Sequence, residues 1–134
     1  MAERMISKKL NQFLIIILIL ILSGCASIET VRSNNRTKLM HLSPGMSKGD
    51  VLNTMGTETI TTTADTITNP YRTELYRAGG HVFELLLYYT DIKARDGAIT
   101  DDELTPLIIK DGKLDGWGWS YWDDVVSKYE IRVR

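Results

Sequence analysis

Tyr71-Arg72-Thr73-Glu74-Leu75-Tyr76-Arg77-Ala78-Gly79-Gly80-His81-Val82-Phe83-Glu84-Leu85-Leu86-Leu87-Tyr88-Tyr89-Thr90 is the stretch that decides the fold. Residues 71–77 and 82–90 are rich in Tyr, Leu, Phe and Val, and Ala78-Gly79-Gly80-His81 separates them, which predicts a β-hairpin. Downstream, residues 104–110 predict another strand, with Pro106 near its start where a proline is tolerated. Asp111-Gly112 is a tight-turn pair that leads into a further strand over 114–121. There Trp117, Trp119 and Tyr121 alternate with Gly116, Gly118 and Ser120, putting three rings on one face and leaving the other bare for a packed helix or a partner backbone. Residues 123–129 predict a closing helical turn, and 130–134 alternate like a final edge strand.

Upstream of the hairpin lies the best-punctuated helix, Pro44-Gly45-Met46-Ser47-Lys48-Gly49-Asp50-Val51-Leu52-Asn53-Thr54-Met55-Gly56. Ser47 caps the orphan amides, with Asp50 three residues on as a weaker version of the usual capping-box Glu. Met46 and Val51 are placed for a hydrophobic staple, and Gly56 suits a left-handed helix end. Val51, Leu52 and Met55 form a narrow apolar stripe, so this short helix must pack on something. The Thr-dominated residues 57–68 fit a strand, a loop or a short helix equally well. The expected class is α+β: a short helix or helices on one face of a three- to four-stranded antiparallel sheet.

The N-terminal region is read from its charges and its one cysteine. Arg4, Lys8 and Lys9 precede an unbroken apolar run over 13–22, about half of the roughly 20 residues needed to cross a bilayer. Leu22-Ser23-Gly24-Cys25 follows at once, and Cys25 is the sole cysteine. Together these predict a secretory signal peptide over 1–24, and the tetrad resembles the bacterial lipobox, which implies a lipoprotein cleaved before Cys25, with its thiol and usually its new amine acylated. A short transmembrane anchor is the alternative. Each buried methylene of an acyl chain contributes about 0.8 kcal/mol, so two or three chains hold a small domain on a membrane nearly permanently. Ala26 stands where an Asp tends to retain such proteins at the inner membrane, so outer-membrane sorting with a periplasmic domain is expected. Residues 25–43, polar apart from scattered apolar positions, predict a lipidated N-terminus and flexible tether, leaving 44–134 as one domain.

The leader holds three of the 16 Lys and Arg and one of the 17 Asp and Glu, so the remainder is net acidic and offers no electrostatic reason to bind nucleic acid. With Cys25 acylated no disulfide or thiolate metal site is possible. Only His41 and His81 are available for general-base work, both read as solvated loop residues, and no hydrolase elbow, metalloprotease helix or P-loop accompanies them. The expectation is a protein without enzymatic activity. Asp96-Gly97-Ala98-Ile99-Thr100-Asp101-Asp102-Glu103 matches the second half of an EF-hand loop, but Ile92 and Ala94 stand where leading carboxylates belong. Calcium held by Asp96 and Glu103 is one reading of this segment, and an acidic loop between two strands is the other. Tyr88, Tyr89, Trp117, Trp119, Tyr121 and Trp122 are read partly as core and partly as an exposed binding face, with Trp117, Trp119, Tyr121 and Trp122 as the candidate interface.

The lipobox, the polar segment, residues 42–45 leading into Met46-Ser47-x-x-x-Val51-x-x-x-Met55-Gly56, and Leu107-Ile108-Ile109-Lys110-Asp111-Gly112-Lys113-Leu114 resemble the SmpA/OmlA (BamE-like) family of bacterial outer-membrane lipoproteins. The motif there runs roughly Gly-Met-Thr, a few residues, Val, then Leu-Gly, corresponding to Gly45, Met46, Ser47, Val51 and Gly56. Residues 71–118, especially Tyr89-Thr90-Asp91, Asp102-Glu103-Leu104-Thr105-Pro106-Leu107 and Gly116-Trp117-Gly118, look more like a related group of small lipoproteins of unassigned function. The resemblance implies a two-layer α+β domain similar to beta-lactamase inhibitor proteins, and a role as an accessory of β-barrel assembly. The chain departs from the pattern at the acidic loop 91–103 and at Thr57, where a Pro usually follows the helix-ending Gly. The leading expectation is a protein-binding lipoprotein that touches envelope partners, including barrel-assembly components, with no cofactor beyond its acyl groups. The alternative is a small periplasmic binding or inhibitor lipoprotein for a soluble enzyme, a peptide or a cell-wall fragment, calcium-responsive if the half loop binds.

Overall fold

The computed structural model describes residues 1–21, 27–62 and 65–133. In chain order the elements are α1 (Ala2–Ile21), α2 (Ile28–Leu39), α3 (Lys48–Met55), β1 (Thr59–Thr61), β2 (Thr66–Thr68), β3 (Arg72–Ala78), β4 (His81–Tyr89), a 3-10 turn (Asp101–Glu103), β5 (Leu104–Lys110), β6 (Lys113–Trp117) and α4 (Trp119–Tyr129). β3 to β6 form one antiparallel sheet in sequential order, and β1 with β2 a separate two-stranded ribbon. The class is α+β.

Side-chain alternation in β4 shows why this strand reads as nearly continuous apolar sequence. Phe83, Leu85, Leu87 and Tyr89 point to one face, where they meet Leu104 and Ile108 of β5, Trp122 and Val125 of α4, Ile67 of β2 and Val31 of α2. Leu86 and Tyr88 point to the other, with Leu107, Ile109 and Leu114, under Val51 and Met55 of α3 and Leu42. A central strand buried on both sides needs apolar residues at every position. Helical cover therefore reaches both faces, where the sequence predicted one. The reason is α4, which extends further back than 123 and lies opposite α3.

The segment read as a flexible tether is largely helix. Ser27 caps α2 by accepting from the Thr30 amide, and Val31 and Asn35 are buried. Ile28, Val31, Asn35 and Leu39 share one stripe, and Asn35, 0% exposed, replaces an apolar residue at its centre. Its amide donates to the Tyr89 carbonyl at 2.9 Å and exchanges 3.1 Å bonds with Asn69. Burying an amide is tolerable only when it is bonded in this way. The undecided residues 57–68 supply the β1–β2 ribbon, whose Ile67 is buried. Among the described residues 130–133 form no strand; Ile131 is instead buried against the first cluster.

α3 matches its expected bounds, with Ser47 accepting from the Asp50 amide at 3.1 Å. Asp50 departs from the capping-box pattern, because its carboxylate accepts from the Ser47 hydroxyl at 2.7 Å. Gly56 ends the helix at φ 90°, ψ 156°, a region open essentially to glycine alone, rather than in the left-handed helical conformation. A Cβ there would also strike the Glu58 carboxylate, which is paired with Lys38 at 3.3 Å. Gly56→Val is expected to lower the unfolding free energy by about 2 kcal/mol, read by urea melts. An unchanged midpoint would mean that the turn tolerates a side chain.

Candidate functional site

Cys25 and the tetrad residues Leu22, Ser23 and Gly24 lie outside the described residues. α1 before them exposes Met5, Ile6, Leu10, Phe13 and Leu14. Among the described residues no helix is long and apolar enough to cross a membrane.

The motif around α3 does a structural job at the sheet edge. The Gly45 amide donates to the Leu114 carbonyl at 2.7 Å, the Leu114 amide to Met46 at 2.8 Å, and the Lys48 amide to Gly112 at 2.9 Å. Ser47 bridges to Lys113. Residues 45–48 thus run along the start of β6 and satisfy the outward amide and carbonyl of Leu114, while Val51 and Met55 fill the core beneath. Motif and sheet edge are one unit, which explains why a stretch this short carries so much punctuation.

The four candidate interface rings separate. They do not form a row, because β6 stops at Trp117 and Gly118, at φ 93°, caps α4 from its first residue, Trp119. Trp122 is core. Trp117, half-buried, packs on the α3 side of the sheet. The Tyr121 ring lies over Gly116, where a Cβ would come within 2.6 Å of it, and its hydroxyl donates to Asp115 at 2.8 Å. Burial, with the Asp115 carboxylate, pushes that phenol up to about 12. The bare strand face thus receives a ring from the chain's own helix. Trp119 is half-buried, and its indole donates to the carbonyls of Asp101 at 3.0 Å and Leu104 at 2.8 Å.

Those two bonds tie α4 to the acidic loop 91–103 and to the first residue of β5. Glu103 is buried and accepts from the Lys93 amide at 2.8 Å and the Thr100 amide at 2.9 Å. These amides hold its carboxyl below the usual range, against the opposing effect of burial. Asp96 is exposed and accepts from the Ala98 amide at 3.0 Å. The two calcium candidates are therefore each engaged with local backbone, one inside and one outside. No group of three or more metal-ligating His, Cys, Asp or Glu side chains occurs among the described residues. Trp119, Leu104 and Thr105, the loop residues Asp91 and Asp102, and Arg36 and Leu39 of α2 line a shallow cleft of about 340 Å³. With Arg36, Asp91 and Asp102 all lining it, the cleft presents both signs of charge beside an aromatic wall.

A second cluster was not anticipated. His81 opens β4 instead of sitting in a solvated turn, and its Nδ1 lies 2.5 Å from the Asp111 carboxylate, which also accepts from the Val82 amide at 2.9 Å. Lys110 donates to the Tyr129 hydroxyl at 2.8 Å, holding that phenol below its ordinary value. The His81 ring meets Tyr129 edge-on at 5.5 Å. This arrangement pins the end of α4 to both hairpin turns. His41 is exposed.

A family model described as a protein of unknown function (DUF3192) matches residues 25–124. The chain belongs to this family. No curated protein and no solved structure matches it. The DUF3192 match starts at Cys25, omits α1, and takes in the whole sheet, α2, α3 and the cleft beneath Trp119.

Proposed function

We propose that this DUF3192 chain is a non-enzymatic lipoprotein of the bacterial outer membrane, anchored through acylated Cys25, with its domain in the periplasm. The domain binds another envelope protein through the cleft between α2, loop 91–103 and α4, supporting β-barrel assembly or envelope integrity as the SmpA/OmlA resemblance suggests. One observation carries the reading: the family match begins at the very residue where the leader, apolar run and tetrad set the mature N-terminus. α2 adds a consequence. Its cap, Ser27, follows Cys25 by two residues and the helix is fixed to the sheet by Asn35, so the domain stands close to the lipid surface.

Cys25→Ala is expected to abolish fatty-acid labelling in a bacterial host, leave an uncleaved precursor and remove the protein from outer-membrane fractions. Labelling that survives this substitution would overturn the anchor. Crosslinking from intact envelopes tests the partner, with Trp119→Ala as the control for the cleft. Recovery of barrel-assembly components with the unsubstituted chain and their loss with the variant supports the proposed role; a soluble enzyme or cell-wall fragment recovered instead replaces it.

A further inference from the structure

The two edges of the main sheet are treated differently. β6 is covered at its start, over 112–114, by residues 45–48, and its pairing with β5 carries an irregularity at Ile108 and Ile109. β3, at the opposite edge, pairs with β4 in unbroken register over all seven residues and has no strand on its outer side among the described residues. Long, regular edges are usually blunted by charged side chains, proline or a bulge; β3 has neither proline nor bulge, and its charges, Arg72, Glu74 and Arg77, are of both signs.

The register fixes which backbone groups are free. Ala78 and His81 close a two-residue turn over Gly79 and Gly80, both at positive φ, so they form a hydrogen-bonded pair, as do Tyr76 with Phe83, Glu74 with Leu85 and Arg72 with Leu87. Thr73, Leu75 and Arg77 therefore turn their amides and carbonyls outward. The Tyr71 amide is spent inward on the Leu87 carbonyl at 2.8 Å. Leu75, at the middle of the outward set, is 52% exposed. An open groove of about 910 Å³ runs between this strand and residues 129–132.

We infer that the β3 edge pairs antiparallel with the β3 edge of a second copy of this chain, about a two-fold axis at Leu75. The sequence complements itself in that register. Leu75 meets Leu75 of the second copy and Thr73 meets Arg77, so every outward amide and carbonyl finds a partner. On the opposite face Glu74 meets Tyr76, the pairing already made within one chain, where the Tyr76 hydroxyl donates to Glu74 at 2.6 Å. No like charges are opposed. Moving the axis to Glu74 would set two carboxylates against each other, a destabilising arrangement across strands. The inference stands on the sheet alone and does not require the lipid anchor.

Cysteine scanning of the full chain in detergent micelles tests it, with oxidation by copper phenanthroline and non-reducing gels. Residues at the axis come about 5.5 Å apart, within disulfide reach, whereas Thr73 residues of the two copies would be roughly 13 Å apart. Leu75→Cys is expected to give about tenfold more disulfide dimer than Thr73→Cys or Arg77→Cys alone, and the Thr73→Cys/Arg77→Cys double variant to crosslink as well. Leu75→Lys should convert sedimenting dimer to a monomer that still unfolds in one cooperative transition, with a midpoint that no longer depends on protein concentration. Equal crosslinking at Thr73 and Leu75, or dimer that persists in Leu75→Lys, overturns the inference. The unsubstituted chain serves as the separate arm: a dimer through Cys25 would show a free thiol and count against the anchor, not against the strand pairing.

Discussion

Trp122→Ala is expected to lower the unfolding free energy by about 3–5 kcal/mol, a large share of the roughly 5–15 kcal/mol that holds a typical domain folded. Trp122 is 3% exposed and joins three elements at once. Its ring centroid lies 5.2 Å from Tyr76 of β3 and 6.5 Å from Phe83 of β4, and its backbone amide closes the first turn of α4 on Gly118 at 3.0 Å. Removing the indole leaves a cavity between helix and sheet that neither β strand can move to fill, since both are held in register. Trp119→Ala supplies the contrast. That ring is half-buried and acts through two indole hydrogen bonds, so about 1–2 kcal/mol is expected, with loop 91–103 loosened more than the core. Chemical denaturation with tryptophan fluorescence measures both. Equal losses would mean that Trp122 is not the side chain holding α4 on the sheet.

The contrast between these two tryptophans also shows where sequence reading of this chain is sound and where it fails. β3, β4, β5 and α3 were legible because each carries two agreeing signals, a periodicity and a matching turn or cap. At 117–121 the signals conflict. Trp117, Trp119 and Tyr121 repeat every second residue and imitate a strand, while Trp119, Trp122, Val126 and Tyr129 repeat as a helix does, and the helix prevails because it buries Trp122 and Val125 together. Its start bears no Ser, Thr, Asp or Asn cap, only Gly118, so the boundary left little trace. α2 was missed for a related reason. Its stripe is polar at the centre, and nothing in a single sequence reveals that Asn35 will find Asn69 and the Tyr89 carbonyl across the fold. The cleft under Trp119 inherits both difficulties, since one wall is α2 and another is α4.

Glu103→Ala should cost about 2–3 kcal/mol, because the buried carboxylate that accepts from the Lys93 and Thr100 amides is removed and hydrogen bonds to a charged acceptor contribute about 1.5–3 kcal/mol. The Glu103 carboxylate organises the loop from inside, while the neighbouring charges sit outside: Lys93 pairs with Asp91 at 2.8 Å and Asp101 with Arg72 at 2.8 Å. Because the folded-state pKa of Glu103 is depressed, its contribution is present in full above the unfolded value of about 4.3 and is lost as pH falls through the lower folded value. Acid alone would not isolate this effect, since Asp91 and Asp111 are also held low and their interactions weaken in the same range. Glu103→Gln provides the separation. It keeps the shape and one acceptor oxygen but cannot titrate, so the stability gap between it and the unsubstituted chain should be largest at neutral pH and close on the acid side. Urea melts of both proteins across that range read the gap directly. A gap of constant size from neutral to strongly acid pH would mean that the ionised carboxylate is not what holds loop 91–103 against Trp119, and the loop wall of the proposed binding cleft would need another explanation.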